Sequence, residues 1–135
     1  MKELAIGAKI ENLTKVIEFL NKELGSISCD EKIKAKIDIA VDEIFSNIAN
    51  YAYNADGGSV TVKFNKLDGK KEIEIIFIDE GEPYNPLKKE DPNVKLSLED
   101  RKVGGLGIFI AKKSMDEVLY EYKDNKNILT LRKKF

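Results

Sequence analysis

The chain has 135 residues, 23 Lys and Arg against 24 Asp and Glu, a formal net charge of −1, a single Cys, and neither His nor Trp. That size fits one domain over 1–135 with its own core, one cysteine closes no internal disulfide, and the lack of His excludes Ser-His-Asp and Cys-His nucleophiles and the common zinc sites. Near-balanced charge gives no long-range field for nucleic acid or membrane, and the absence of a roughly 20-residue apolar run or signal-type segment points to a soluble cytoplasmic protein.

In chain order, Leu4-Ala5-Ile6 fits a short leading strand. From Asn12 to Leu24 the residues Leu13, Val16, Ile17, Leu20 and Leu24 recur at three- and four-residue steps, which predicts a helix capped at Asn12 and stopped at Gly25. A longer helix is predicted from near Asp30, where Ser28 and Glu31 have capping-box spacing, to about Tyr53. Its buried stripe is Ile33, Ile37, Ala40, Val41, Ile44 and Ile48, and Asn54, Asp56, Gly57 and Gly58 end it. The period then changes from helical to two. Ser59 to Phe64 alternates, Asp68-Gly69 marks a turn, and Glu72 to Ile78 alternates before becoming continuously apolar, which predicts a hairpin whose second strand lies deep in the sheet.

From Asp79 to Arg101 periodicity is lost, and Pro83, Pro86 and Pro92 fall among charges. So long an aperiodic stretch inside a compact domain predicts a functional lid at about 80–104. Gly104-Gly105-Leu106-Gly107 then opens a helix running to Met115, and strands follow at Val118 to Tyr122 and Ile128 to Arg132, joined by an Asp124-Asn125 turn. This order predicts an α+β fold: a two-layer sandwich with helices on one face of a mixed, mainly antiparallel sheet.

With no His available, any general base must be a carboxylate, or a Lys, Tyr or Cys of shifted pKa. Setting Ile37 at zero and advancing about 100° per residue places the long helix's stripe at roughly 320° to 40°, Glu43 near 240° and Asn47 near 280°. Glu43 and Asn47 therefore stand one turn apart beside the buried stripe, where an acid and an amide oxygen can face one cleft. The apolar strand delivers Asp79 at its end, followed by Gly81, where backbone can approach a ligand closely. Glycines at a helix start free backbone N–H groups toward one spot at the positive end of the helix dipole, an anion site to which Arg101 and Lys102 add charge. Neither the Rossmann nor the P-loop glycine pattern is present.

The joint order is more specific than any single part. Glu43-x-x-x-Asn47, then Asp79-x-Gly81-x-Pro83-Tyr84-Asn85-Pro86, then Arg101-x-x-Gly104-Gly105-Leu106-Gly107-Ile108, Met115-Asp116-Glu117-Val118 and a closing Asn127-Ile128-Leu129-Thr130-Leu131 resembles the ATP-binding domain of gyrase, heat-shock chaperones, histidine kinases and mismatch-repair ATPases. Within that superfamily the chain looks most like the stand-alone anti-sigma-factor serine/threonine kinases, with Pro83 in place of the second glycine of the histidine kinases' D-x-G-x-G. The resemblance covers nearly the whole chain and implies a Bergerat-type fold and an ATP- and Mg²⁺-dependent protein kinase. It implies Glu43 as the catalytic base, Asn47 as the Mg²⁺ ligand, Asp79 as acceptor of the adenine amino group, and Gly81 as room for the ring. Arg101 and the backbone of Gly104, Gly105, Leu106 and Gly107 would hold the phosphates, and Thr130 would reach the adenine. The implied partners are a sigma factor and an anti-anti-sigma substrate of STAS type, with homodimerisation a family expectation. Relatives often carry His eight residues after the glutamate; here that position is Tyr51, which can hydrogen-bond a phosphate and brings no positive charge at neutral pH. The alternative is a module whose partner affinity is gated by ATP or ADP without phosphotransfer.

Overall fold

Side chains that alternate between apolar and polar commit one face of a sheet to a core, and in this protein they do so on five strands. The computed structural model describes residues 2–27, 29–54, 57–67, 69–88 and 105–135, with backbone alone at 105–107. Strands β1 (Lys2–Gly7), β2 (Ser59–Lys66), β3 (Glu72–Asp79), β4 (Glu117–Lys123) and β5 (Lys126–Lys134) form a sheet in the order β1-β2-β3-β5-β4. All four ladders are antiparallel. β3 is the central strand, as its apolar run predicts, and β1 is the leading strand, paired on the edge with β2.

One face of the sheet, carrying Val60, Val62, Phe64, Ile73, Ile75, Phe77, Leu129 and Leu131, is buried in a core shared with helices α1 (Leu13–Leu24), α2 (Glu31–Tyr51) and α3 (Gly105–Ser114). Helix α1 contributes Val16, Leu20 and Leu24. Helix α2 contributes Ile37, Ala40, Val41 and Ile44 from the predicted stripe, and also Phe45, which is fully buried and widens that stripe. Ile33 and Ile48 pack against the core from its margin.

Local chemistry sets most boundaries. Helix α2 begins at Asp30, whose carboxylate accepts from the Ile33 N–H at 2.8 Å and so satisfies an orphan donor of the first turn. Ser28, expected to form a capping box with Glu31, lies outside the described residues, as do Asp56 and Asp68. Asn12 does not cap α1. Its Nδ2 donates instead to the Gly7 carbonyl at 2.9 Å, tying the end of β1 to a 3₁₀ turn, Ile10–Asn12, that runs straight into the helix. Gly25 stops α1 with right-handed backbone, its N–H still bonded to the Asn21 carbonyl. The β4–β5 turn has Asp124 at φ 54° and Asn125 at φ 62°, the paired positive angles of a type I′ hairpin, which these residue types tolerate best after glycine.

Candidate functional site

A cavity enclosing about 500 Å³, including its open mouth, lies between α2, the end of β3, α3 and the start of β5. Helix α2 lines it with Ile44, Asn47, Ile48 and Tyr51 and its C-cap with Ala52, β3 with Asp79, the following segment with Glu82, Tyr84 and Pro86, and α3 with Ile108. Tyr120, Asn127 and Leu129 complete the lining from β4 and β5. The wall is mainly apolar with a small number of polar groups, the usual make-up of a small-molecule site.

The helical angle that sets Asn47 beside the buried stripe brings it to this cavity together with Asp79, from a helix and a strand that are separate in the sequence. Glu43 is not part of the lining; it stands one turn before Asn47, toward the helix's N-terminal end, and is partly buried. Burial, and secondarily the neighbouring Asp42 carboxylate, raise its pKa above the ordinary glutamate value. Asp79 is only 6% exposed, and its Oδ1 accepts from the Gly81 N–H and from Asn127 Nδ2, both at 2.9 Å.

Gly81 serves the site from behind. A Cβ there would lie 2.1 Å from the Ala52 carbonyl oxygen, so the glycine is required by close packing of the loop on the end of α2, where the Glu82 N–H donates to that same carbonyl at 3.3 Å. Gly81 lines a second, more polar hollow with Tyr53, Asn54 and Glu80, which adjoins the main cavity through Ala52 and Glu82. Tyr53 buttresses the same loop: its hydroxyl donates to the Ser59 carbonyl at 2.6 Å and accepts from the Glu80 N–H at 2.7 Å. Burial, with the nearby Asp79 and Glu80 charges, raises the Tyr53 pKa despite that accepted bond, so the phenol stays a donor at neutral pH.

Thr130 is not brought to the cavity. It pairs with Ile76 and Leu119 in the ladders, on the face of the sheet turned away from the helices, because β5 alternates and Leu129 and Leu131 point inward. The polar residue that β5 does place there is Asn127, opposite Asp79 in register and 7% exposed. Sequence could have found it, since Asn127, Leu129 and Leu131 share one parity. Tyr84 and Tyr120 were likewise missed; as aromatic residues in a loop and on an edge strand, they carry no local signal of convergence. Tyr51 lines the cavity and is 59% exposed, so its phenol sits at the rim.

Helix α3 begins at Gly105, and Ile108 in its first turn lines the cavity, so the end of the helix whose N–H groups lack intrahelical partners lies beside it. Gly105, Leu106 and Gly107 belong to that turn. Arg101 and Gly104 lie outside the described residues, as do 89–104 of the expected lid. The segment before them runs from Asp79 through a bend to a 3₁₀ turn at Pro86–Lys88, opened by the Asn85 side chain accepting from the Leu87 N–H at 2.9 Å.

Known proteins resemble this chain in sequence and in fold. The chain is 25% identical over 100 residues to the serine/threonine-protein kinase BtrW of Bordetella bronchiseptica, covering 74% of this chain and 70% of that protein. It is 30% identical over 108 residues to the serine-protein kinase RsbW of Halalkalibacterium halodurans, covering 73% of this chain and 60% of that one. Among solved structures, the RsbU and RsbW domains of Rv1364c from Mycobacterium tuberculosis superpose with a TM-score of 0.65 at 20% identity, over 99% of this chain and 32% of that one. The mycobacterial sensor histidine kinase MprB superposes with a TM-score of 0.58 at 15% identity, over 98% and 97% of the two chains. The family model described as histidine kinase-like ATPase domain matches residues 6–133, nearly the whole sheet and all the helices around the cavity, and the chain belongs to that family.

Proposed function

We propose that this protein is an ATP- and Mg²⁺-dependent serine kinase that acts as an anti-sigma factor: it binds a sigma factor and phosphorylates a small anti-anti-sigma partner of STAS type, in the cytoplasm and as a homodimer. The observation that carries this reading is the convergence of Asn47 and Asp79 on one cavity, with Glu43 a turn away on the same helix. A module that only bound nucleotide would have no use for that acid. The names of the relatives, serine-protein kinases, support the same choice.

In this reading Asp79 accepts a hydrogen bond from the adenine amino group, and the first turn of α3 with Arg101 and the backbone of Gly104, Gly105, Leu106 and Gly107 holds the phosphates. The amide oxygen of Asn47 is a hard donor of the kind Mg²⁺ takes, and an ion that keeps several of its waters needs few protein ligands. When bound, Mg²⁺ supplies neutralisation of the phosphate charge. Glu43 orients the substrate serine and takes its hydroxyl proton as the serine oxygen bonds to the γ-phosphorus and the bond to the β-phosphate oxygen breaks, leaving ADP. Positioning and charge neutralisation supply most of the acceleration in such a transfer, so a carboxylate suffices as base.

The test is phosphotransfer from labelled ATP to STAS-type partner proteins of the same genome. Wild type is expected to yield phosphoserine, and Glu43→Gln to lower the rate by about 10²–10⁴-fold, the usual worth of a general base, with ATP affinity within about threefold of wild type. ATP binding with no transfer to any partner would instead select the gated binding module. Equal rates for wild type and the variant would remove Glu43 from the chemistry.

A further inference from the structure

Asn127 has no role in the function proposed above, yet hydrogen bonds from several elements converge on its side chain. Its Nδ2 donates to Asp79 Oδ1 at 2.9 Å, to the Glu82 carbonyl at 2.9 Å and to the Gly81 carbonyl at 3.3 Å. Its Oδ1 accepts from the Tyr84 N–H at 3.2 Å and from the Tyr120 hydroxyl. The amide can face only one way, because carbonyls cannot donate and a backbone N–H cannot accept. One buried side chain therefore ties the end of β3, the loop after it and β4 to a single geometry.

The consequence falls on Asp79. Two donors, from Asn127 and from the Gly81 N–H, engage the same oxygen, Oδ1. Oδ2 receives no hydrogen bond from the described residues, while Asp79 lines the cavity. A carboxylate oxygen only accepts, so a ring edge bearing an amino group gains a hydrogen bond there, and one bearing a carbonyl meets lone pairs and leaves both groups unpaired. Adenine carries an amino group on its six-membered ring where guanine carries a carbonyl.

We infer that Asn127 is a positioning residue for base selection: by holding Asp79 through Oδ1 it commits Oδ2 to the ligand and makes the cavity prefer an amino-purine over an oxo-purine nucleotide. Tyr120 acts one step further out, holding the Asn127 carbonyl. This inference rests on the reading of the cavity as an ATP site.

Calorimetric titration of wild type, Asn127→Ala and Tyr120→Phe with ATP, GTP and inosine triphosphate tests it. Wild type is expected to favour ATP over both oxo-purines by about 100-fold or more, the scale on which a site built to pair a polar group rejects its mismatch. Asn127→Ala is expected to weaken ATP by about 10- to 100-fold and the oxo-purines by less than about threefold, shrinking the ratio at least tenfold. Loss of stability alone would weaken all three nucleotides together, so an unchanged ratio in a folded Asn127→Ala protein overturns the inference. Should that variant lose its circular-dichroism signal, Tyr120→Phe decides: a ratio reduced about two- to fivefold supports the inference, and an unmoved ratio overturns it. Wild type that binds ATP with no preference overturns this inference alone; wild type that binds none of the three overturns the ATP site as well.

Discussion

Glu43 stands where helix geometry leaves a carboxylate half out of water, with Asp42 next to it, and both circumstances disfavour its charge. The folded chain thus holds the Glu43 proton more tightly than the unfolded chain does. Its contribution to stability is lost as pH rises from the ordinary glutamate value through the raised one. Glu43→Gln is therefore expected to raise Tm slightly at neutral pH, readable by differential scanning calorimetry at pH 7 and pH 4, with the gain disappearing at the lower value. If Glu43 is the base, the rate must rise with pH through that same raised pKa, and a pH–rate profile whose acidic limb sits at the ordinary carboxylate position would contradict the assignment. Gly81 offers a second test at this scale. A methyl group there collides with the Ala52 carbonyl, a backbone atom at the C-cap of α2 that has none of the freedom of a side-chain end. Gly81→Ala is expected to cost about 1–3 kcal/mol in urea denaturation, the usual penalty of overpacking, and to weaken ATP because Asp79 loses its alignment with the Gly81 N–H.

Helix α2 carries more of the site than any other element, and its position depends on how firmly its inner face is held. Phe45 is fully buried in the shared core among residues of the helices and the sheet. Phe45→Ala is expected to cost about 3–5 kcal/mol by denaturant titration, from lost transfer energy plus the cavity left behind. A cost below about 1 kcal/mol would mean that the helix tilts to refill the space, and the Asn47 side of the cavity would move with it. The helix was legible in the sequence because its period is local: Ile37, Ala40, Val41 and Ile44 lie where the spacing predicts, and Asn47 lies on the flank it predicts. Its cap was less legible, since Ser28, Asp30 and Glu31 all suit a helix start and only the Asp30 to Ile33 bond distinguishes them. Asn12 shows the same ambiguity resolved the other way, its amide drawn to the end of β1 by a contact that no local pattern encodes.

For the whole molecule, ligand binding and folding are linked, because the cavity is lined by residues spread from Ile44 to Leu129 and exists only when the sheet and helices are assembled. With ATP and Mg²⁺ at about a hundred times Kd, stability is expected to rise by about 2.7 kcal/mol, or roughly 10 °C in Tm for a domain of this size. Asp79→Asn should show little of that shift, and an equal rise in both proteins would move the ligand elsewhere. No described helix is long and apolar enough to cross a membrane. What the sequence determined by itself was whatever repeats over a few residues: the helical stripes, the two-residue rhythm of the strands, the Asp124-Asn125 turn, the depth of β3, and the motif order that carries the family. What only the tertiary structure decided was which residues meet. Alternation says that Asn127 and Thr130 face opposite sides of β5, but it takes the β3–β5 ladder to bring Asn127 against Asp79, 48 residues away. The physical reason is that backbone period is set by nearest neighbours, whereas strand order is set by burial of the whole apolar face, a property of the assembled sheet.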